Sequence, residues 1–229
     1  MARKIETEQS KAKKKKRRII IAVIVVIVLI VCGFLIYKSF FKETKNNPVE
    51  VKLLDQNVDY GYSLSDRDSD LYKEEYNVLK DLLKEKTVDT EKYVNQVAKL
   101  FVIDLYSLST KLNMYDVGGS EYYYADKKDM FDKKVMDTIY STIEDDTYGD
   151  RKQELPLVSS INIESTESTT YKLGDKAVDA YSVKLKWTYE KDMGYDDEGT
   201  VVIAKEDGLR WSVVDFQPTL NPKYNTNKK

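Results

Sequence analysis

Two hydrophobic periods divide the chain. Between residues 68 and 143 apolar side chains recur every three or four positions, the spacing of one helix face. Leu71, Val78, Leu79, Leu82 and Leu83 predict a first helix over about 68–86, capped by Ser65 or Asp66. Val94, Val97, Ala98, Phe101, Leu105, Leu108 and Leu112 predict a second over about 90–113, with Thr90 as its cap. Val102 and Ile103 widen that stripe, so this helix is expected to be buried on two sides as the main core helix. The Asp-Val-Gly-Gly-Ser run over 116–120 breaks the pattern. After Tyr122, Tyr123 and Tyr124, the positions of Phe131, Val135, Ile139 and Ile143 predict a third helix over about 127–143, capped by Asp126.

From Leu155 the period falls to two. Leu157, Ile161 and Ile163 mark a strand ending near Ser165. Over 180–190, Tyr181, Val183, Leu185, Trp187 and Tyr189 alternate with Ser182, Lys184, Lys186, Thr188 and Glu190, which predicts one buried and one wet face. An acidic connection over 191–199 leads to a strand over 200–205. Asp207-Gly208 marks a hairpin, and a last strand runs over 209–216 with Leu209, Trp211 and Val213 on one side. Helices first and antiparallel strands last predict an α+β domain over 67–218, its helices lying in the hollow of a curved antiparallel sheet. Residues 38–66 read as an extended linker and 219–229 as a polar tail.

The N-terminal end has a different pattern. Residues 19–37 are nineteen in a row without a charge, mostly Ile, Val and Leu. As a helix they span roughly 28 Å, close to the hydrocarbon thickness of a bilayer. Residues 1–18 carry nine Lys or Arg against two acids, a net charge of +7; the whole chain carries −2, so everything after Arg18 carries −9. This asymmetry predicts a single-pass signal anchor, with the N-terminus in the cytoplasm and the globular part outside it. Lys13, Lys14, Lys15, Lys16, Arg17 and Arg18 are expected to touch anionic lipid at the membrane surface; binding of nucleic acid by the same block is not expected. A cleaved signal lacks an A-x-A site, and a lipoprotein site at Cys32 is opposed by the bulky Val31 before it. A buried core helix is the third alternative for this segment.

Composition limits the chemistry. With no histidine and one cysteine, the chain excludes Ser-His-Asp and Cys-His machinery, His/Cys zinc sites and an internal disulfide. Candidate acid–base carboxylates are Asp145 with Asp146, and Glu121, though turn and cap roles account for them more simply. The acidic run over 191–198 could offer oxygens to Ca²⁺ but lacks the spacing of a Ca²⁺-binding loop. Gly118-Gly119 has no phosphate-loop context and reads as a turn that needs positive φ. Cys32-Gly33 forms no small-x-x-x-small pair within the span. No catalytic residue, cofactor or metal site is expected. The tyrosine run, Tyr122, Tyr123 and Tyr124, is the candidate partner-binding patch.

The order of a long core helix, a glycine break, a further helix and a meander closing in Trp211-Ser212-Val213-Val214-Asp215-Phe216 resembles the cone-shaped nuclear transport factor two-like fold over residues 94–218. Joined to a basic tail and one span, it is similar to the bitopic assembly factors of type IV secretion and conjugation systems. The resemblance implies an extracytoplasmic scaffold of an envelope machine. It would act by docking other envelope or secretion-machine proteins or further copies of itself. The alternative is a ligand-binding or hydrolytic cone that uses carboxylates and tyrosines. A deep pocket with an inward Asp or Glu would favour that alternative; a pocket filled by Trp187, Trp211 and Phe101 would oppose it. A sensor that signals inward through the short tail is the third reading.

Overall fold

The computed structural model describes residues 26–28, 30–33, 47–206 and 208–221. It divides into two units, Met1–Asn47 and Pro48–Lys229. In the first, residues 26–28 and 30–33 are helical, with Val26, Ile27, Val28, Ile30 and Val31 exposed. Only these seven residues of the predicted span are described, and the basic block from Lys13 to Arg18 lies outside them. Among the described residues no helix is long and apolar enough to cross a membrane.

The second unit is α+β, its helices packed against an antiparallel sheet. It opens with a hairpin, β1 (Leu53–Asn57) and β2 (Tyr62–Ser65). Residues 53–65 are therefore structured, which corrects the predicted linker over 38–66. Gly61, at φ 75°, closes the turn. Tyr62 is fully buried: it shares a 2.7 Å hydrogen bond with the Tyr93 hydroxyl and donates to the Trp211 carbonyl at 3.2 Å. The segment reads as linker because only Tyr62 and Leu64 show its alternation, too short a run to register as a period.

Helix α1 (Asp70–Leu82) starts at Ser69, whose hydroxyl accepts the Tyr72 N–H at 3.1 Å. Ser65, a predicted cap, instead ends β2, and its N–H donates to Asp68 at 2.6 Å. The helix buries Tyr72, Tyr76, Leu79 and Leu82, whereas Val78 is exposed. Two tyrosines thus set the buried face, rather than the leucine–valine stripe alone. Helix α2 (Thr90–Tyr106) is capped by Asp89, one residue ahead of Thr90, and buries eleven of its side chains. It ends at Tyr106, seven residues short of the expected end. The apolar spacing continues through a 3₁₀ turn, Leu108–Thr110, with Leu108 still buried, so periodicity outlasts the helix. Helix α3 (Ala125–Asp137) begins after Tyr124, with Asp126 inside its first turn rather than capping it. Ile139 falls in the turn that follows and Ile143 just beyond it.

Strands β3 (Val158–Leu173), β4 (Lys176–Tyr189), β5 (Glu198–Lys205) and β6 (Trp211–Pro218) form an antiparallel meander in sequence order. Register shifts in β3 and between Val202 and Ile203 mark bulges, which bend strands. Val183, Leu185, Trp187, Val201, Ile203 and Val213 are buried with the α2 stripe in one cluster. On the opposite face, Lys184 and Lys186 each pair with Glu164 and Glu198 at 2.8–3.2 Å. β3 runs eight residues past its predicted end at Ser165, because its distal half is an exposed Ser/Thr-rich arm with no apolar alternation to mark it. Leu209 lies before β6 and is 73% exposed, so it does not belong to the buried face with Trp211 and Val213. The tail begins tied down: Thr219 N–H donates to the Glu198 carbonyl at 2.8 Å and Asn221 N–H to Asp196 at 2.7 Å.

Candidate functional site: a cleft between α3 and β6

The tyrosine run does not form one surface. Tyr122 closes a 3₁₀ turn (Ser120–Tyr122) and is fully buried, stacked on Tyr62 at 5.1 Å and hydrogen-bonded to the Tyr72 hydroxyl at 2.5 Å. It is removed from the candidate patch because burying its ring and satisfying its hydroxyl leave nothing for a partner. Tyr124 is half-buried; its N–H donates to the Val213 carbonyl at 2.9 Å. Tyr123 alone lines a cavity, its ring stacked on Phe131 at 4.1 Å.

That cavity is a cleft of about 710 Å³ between α3 and β6. Phe131, Val135, Leu105 and Phe216 form its apolar floor, and Met130 (69% exposed) and Leu220 (64%) stand at its mouth. The helix wall follows from spacing: Lys127, Phe131 and Lys134 lie three or four apart on α3, hence on one face, and Thr138 at its C-cap extends the wall. Lys127 lies over the Tyr171 ring at 5.0 Å, donates to its hydroxyl at 2.7 Å, and reaches the Val214 carbonyl at 3.4 Å. Among the described residues neither Lys127 nor Lys134 is ion-paired with a carboxylate, whereas Lys128 on the same helix meets Asp132 at 2.7 Å. Asp215 accepts from Gln217 at 2.8 Å. Asp196, 6% exposed, is the inward carboxylate, but the Tyr106 hydroxyl and Asn221 N–H occupy its two oxygens. The hollow between α2 and the sheet, where a cone pocket would sit, is filled: Phe101, Trp187 and Trp211 are all buried there.

The other sequence candidates have local roles. Asp145 accepts from Thr147, and Asp146 pairs with Arg67 at 3.4 Å and Arg151 at 3.9 Å. In the acidic loop Asp192 accepts the Gly194 N–H at 3.0 Å, and among the described residues no cluster of three metal-ligating side chains exists. Sequence reasoning missed Lys127, Met130 and Lys134. Their signal was present, two lysines seven apart on the face of α3 that carries Phe131, but it reads as ordinary helix amphipathicity.

Beneath the tyrosines lies a buried polar network. Glu121 accepts from the Ser63 hydroxyl at 2.6 Å and the Tyr72 hydroxyl at 3.0 Å, while its own carbonyl accepts from Arg210. Burial pushes its carboxyl above the usual range, with the Asp104 charge adding to the effect and the Ser63 and Tyr72 hydrogen bonds opposing it. Burial likewise raises Asp68 and Asp196. A carboxyl with a raised folded-state pKa binds its proton more tightly folded than unfolded. Its contribution to stability is complete below the ordinary range near 4 and is lost as pH rises through the raised value. The domain should therefore melt at higher temperature near pH 5 than near pH 7.5. Glu121→Gln should flatten that slope. A variant with the wild-type slope would remove Glu121 from the account.

No protein-family model, no curated protein and no solved structure matches the chain.

Proposed function

We propose that the chain is a single-pass membrane protein whose globular unit lies outside the cytoplasm and docks other proteins of an envelope machine of the conjugation or secretion type. The uncharged run over 19–37 behind a +7 segment supports the anchor and its orientation. The observation that carries docking is the cleft: an open apolar trough with Met130 and Leu220 exposed at its mouth and, on one wall, two lysines that have no carboxylate partner among the described residues. Such exposed apolar surface with a polar rim is what a binding site presents. The hydrolytic alternative has less support, since the hollow is filled and Asp196 is hydrogen-bonded on both oxygens. The likeness to nuclear transport factor two-like assembly factors is part of the same proposal and rests on element order.

Full-length protein carrying a photocrosslinker at Met130 should yield a discrete protein adduct in native membranes, and the same probe at Thr188 on the charged face should not. Adducts to lipid alone at Met130 would overturn the docking reading. Protease added to intact protoplasts should remove the 48–229 unit, and its survival until lysis would overturn the orientation.

A further inference from the structure

We propose that the cleft receives its partner as an added β-strand: an extended peptide, apolar at alternate positions and acidic between them, pairs with the free outer edge of β6. This rests on the docking reading and specifies its chemistry. β6 is the last strand of the meander, and among the described residues the backbone contact along its outer edge is at Val213, which bridges Tyr123 and accepts the Tyr124 N–H. Among the described residues no strand covers that edge from Val214 to Pro218.

The hydrogen-bond parity of the edge follows from the structure. Thr219 donates its N–H inward, to the Glu198 carbonyl at the start of β5. Along an antiparallel strand inward and outward residues alternate, so Phe216 turns its N–H and C=O outward, and Pro218 its C=O. The Val214 carbonyl also points outward, because the Lys127 ammonium on α3 reaches it at 3.4 Å. The open edge thus offers carbonyl, N–H and carbonyl, and carbonyl again over five residues, roughly 14 Å at the strand rise. Pro218, which has no N–H, ends the ladder.

The surroundings specify the side chains. One face of an added strand would lie over Phe131, Val135 and Phe216, which calls for apolar residues at every second position. The other wall of the cleft is α3. Lys127 and Lys134 are two helical turns apart, roughly 10 Å, and among the described residues neither has a carboxylate partner. An incoming N–H that takes the Val214 carbonyl displaces the Lys127 ammonium, which is then free to meet a carboxylate on the peptide. The sheet's other edge lacks these features. Among the described residues distal β3 is also uncovered, but it is a largely polar, exposed arm that α3 meets through Lys127 on Tyr171 rather than with its apolar face.

The test uses full-length protein in phosphatidylcholine nanodiscs and a fluorescent, end-blocked Glu-Val-Glu-Val-Glu-Val-Glu peptide. Two controls are the Lys-Val counterpart and a Glu-Val peptide N-methylated at alternate residues, which keeps its side chains but loses the hydrogen bonds of one edge. The acidic peptide should bind about tenfold or more tighter than the basic one, and Lys127→Gln/Lys134→Gln should erase that preference while leaving the melting temperature near wild type. Hydrogen exchange should slow across 214–217 on binding, and N-methylation should abolish both binding and protection. Equal binding of the N-methylated peptide would overturn strand addition. Protection of the edge by phosphatidylglycerol nanodiscs without peptide would assign the cleft to lipid and also overturn it. No peptide binding, with the Met130 protein crosslink retained, would sink strand addition and leave docking intact; loss of that crosslink too would sink both.

Discussion

Gly118→Ala is expected to cost the domain more than about 3 kcal/mol, or to leave it unfolded, because the added methyl has no room. A Cβ at this position would lie 2.1 Å from the Asp104 carbonyl oxygen, 2.6 Å from its carbon and 2.8 Å from the Tyr140 hydroxyl. Two of these atoms are backbone of α2, the helix around which the domain is packed, so they cannot swing aside as a side chain would. The Tyr140 hydroxyl is also held, donating to the Leu105 carbonyl at 2.8 Å and accepting the Gly118 N–H at 3.2 Å. Any retreat would break the close seating of the 116–120 turn against α2. Gly119→Ala should also be costly, for a different reason: φ is 76°, and the new methyl would meet the Phe101 ring at 2.8 Å. Gly174, at φ 59° in the β3–β4 turn, has nothing within 4 Å, so Gly174→Ala carries only the backbone penalty of about 1 kcal/mol. Urea denaturation of the three variants should rank Gly118→Ala as less stable than Gly174→Ala by at least about 2 kcal/mol. A Gly118→Ala variant as stable as Gly174→Ala would mean the turn does not seat on α2 as described.

The same glycine pair shows what sequence could and could not reveal. A break at 116–120 with positive φ is legible from Gly-Gly, and it holds for Gly119. The reason for Gly118 is a close approach to a helix carbonyl fourteen residues earlier, and nothing local announces it. Long periodic runs fared well: the α2 stripe from Val94 to Leu105 and the β4 alternation from Val183 to Trp187 are buried as their spacing predicts. Ends fared worse. Leu108 stays buried after α2 has stopped, so apolar spacing measured burial rather than helix. The β1–β2 hairpin escaped because tyrosine is amphipathic: Tyr62, Tyr72, Tyr93 and Tyr122 are core residues whose hydroxyls satisfy one another. The tyrosine run reads as a surface for the same reason, although Tyr122 is interior and Tyr123 and Tyr124 are half-buried. The cleft was not legible at all, because it depends on α3 lying beside the outer edge of β6, a relation between segments about eighty residues apart.

Lys111→Met should destabilise the domain by about 2–4 kcal/mol, even though methionine nearly matches the lysine stem in volume. The Lys111 side chain is 7% exposed and that of Asp104 16%, and the two form a direct ion pair. Burial pulls the Lys111 ammonium down, but the Asp104 carboxylate, with Tyr140 and Asp116 behind it, outweighs that, and the group stays charged. Removing the ammonium leaves Asp104 with the Gly119 N–H, at 2.6 Å, as its remaining close donor in a largely water-excluded site. The loss is that of an uncompensated charge rather than of packing. Asp104→Asn in the same background removes the stranded charge while keeping an oxygen for Gly119, so the double variant should be more stable than Lys111→Met alone. A double-mutant cycle by urea denaturation should give a coupling of at least about 1.5 kcal/mol. A coupling near zero would mean that Lys111 contributes only its aliphatic stem. In that case the 116–120 turn would be held by Tyr140 and by the Asp104–Gly119 hydrogen bond without help from the ion pair.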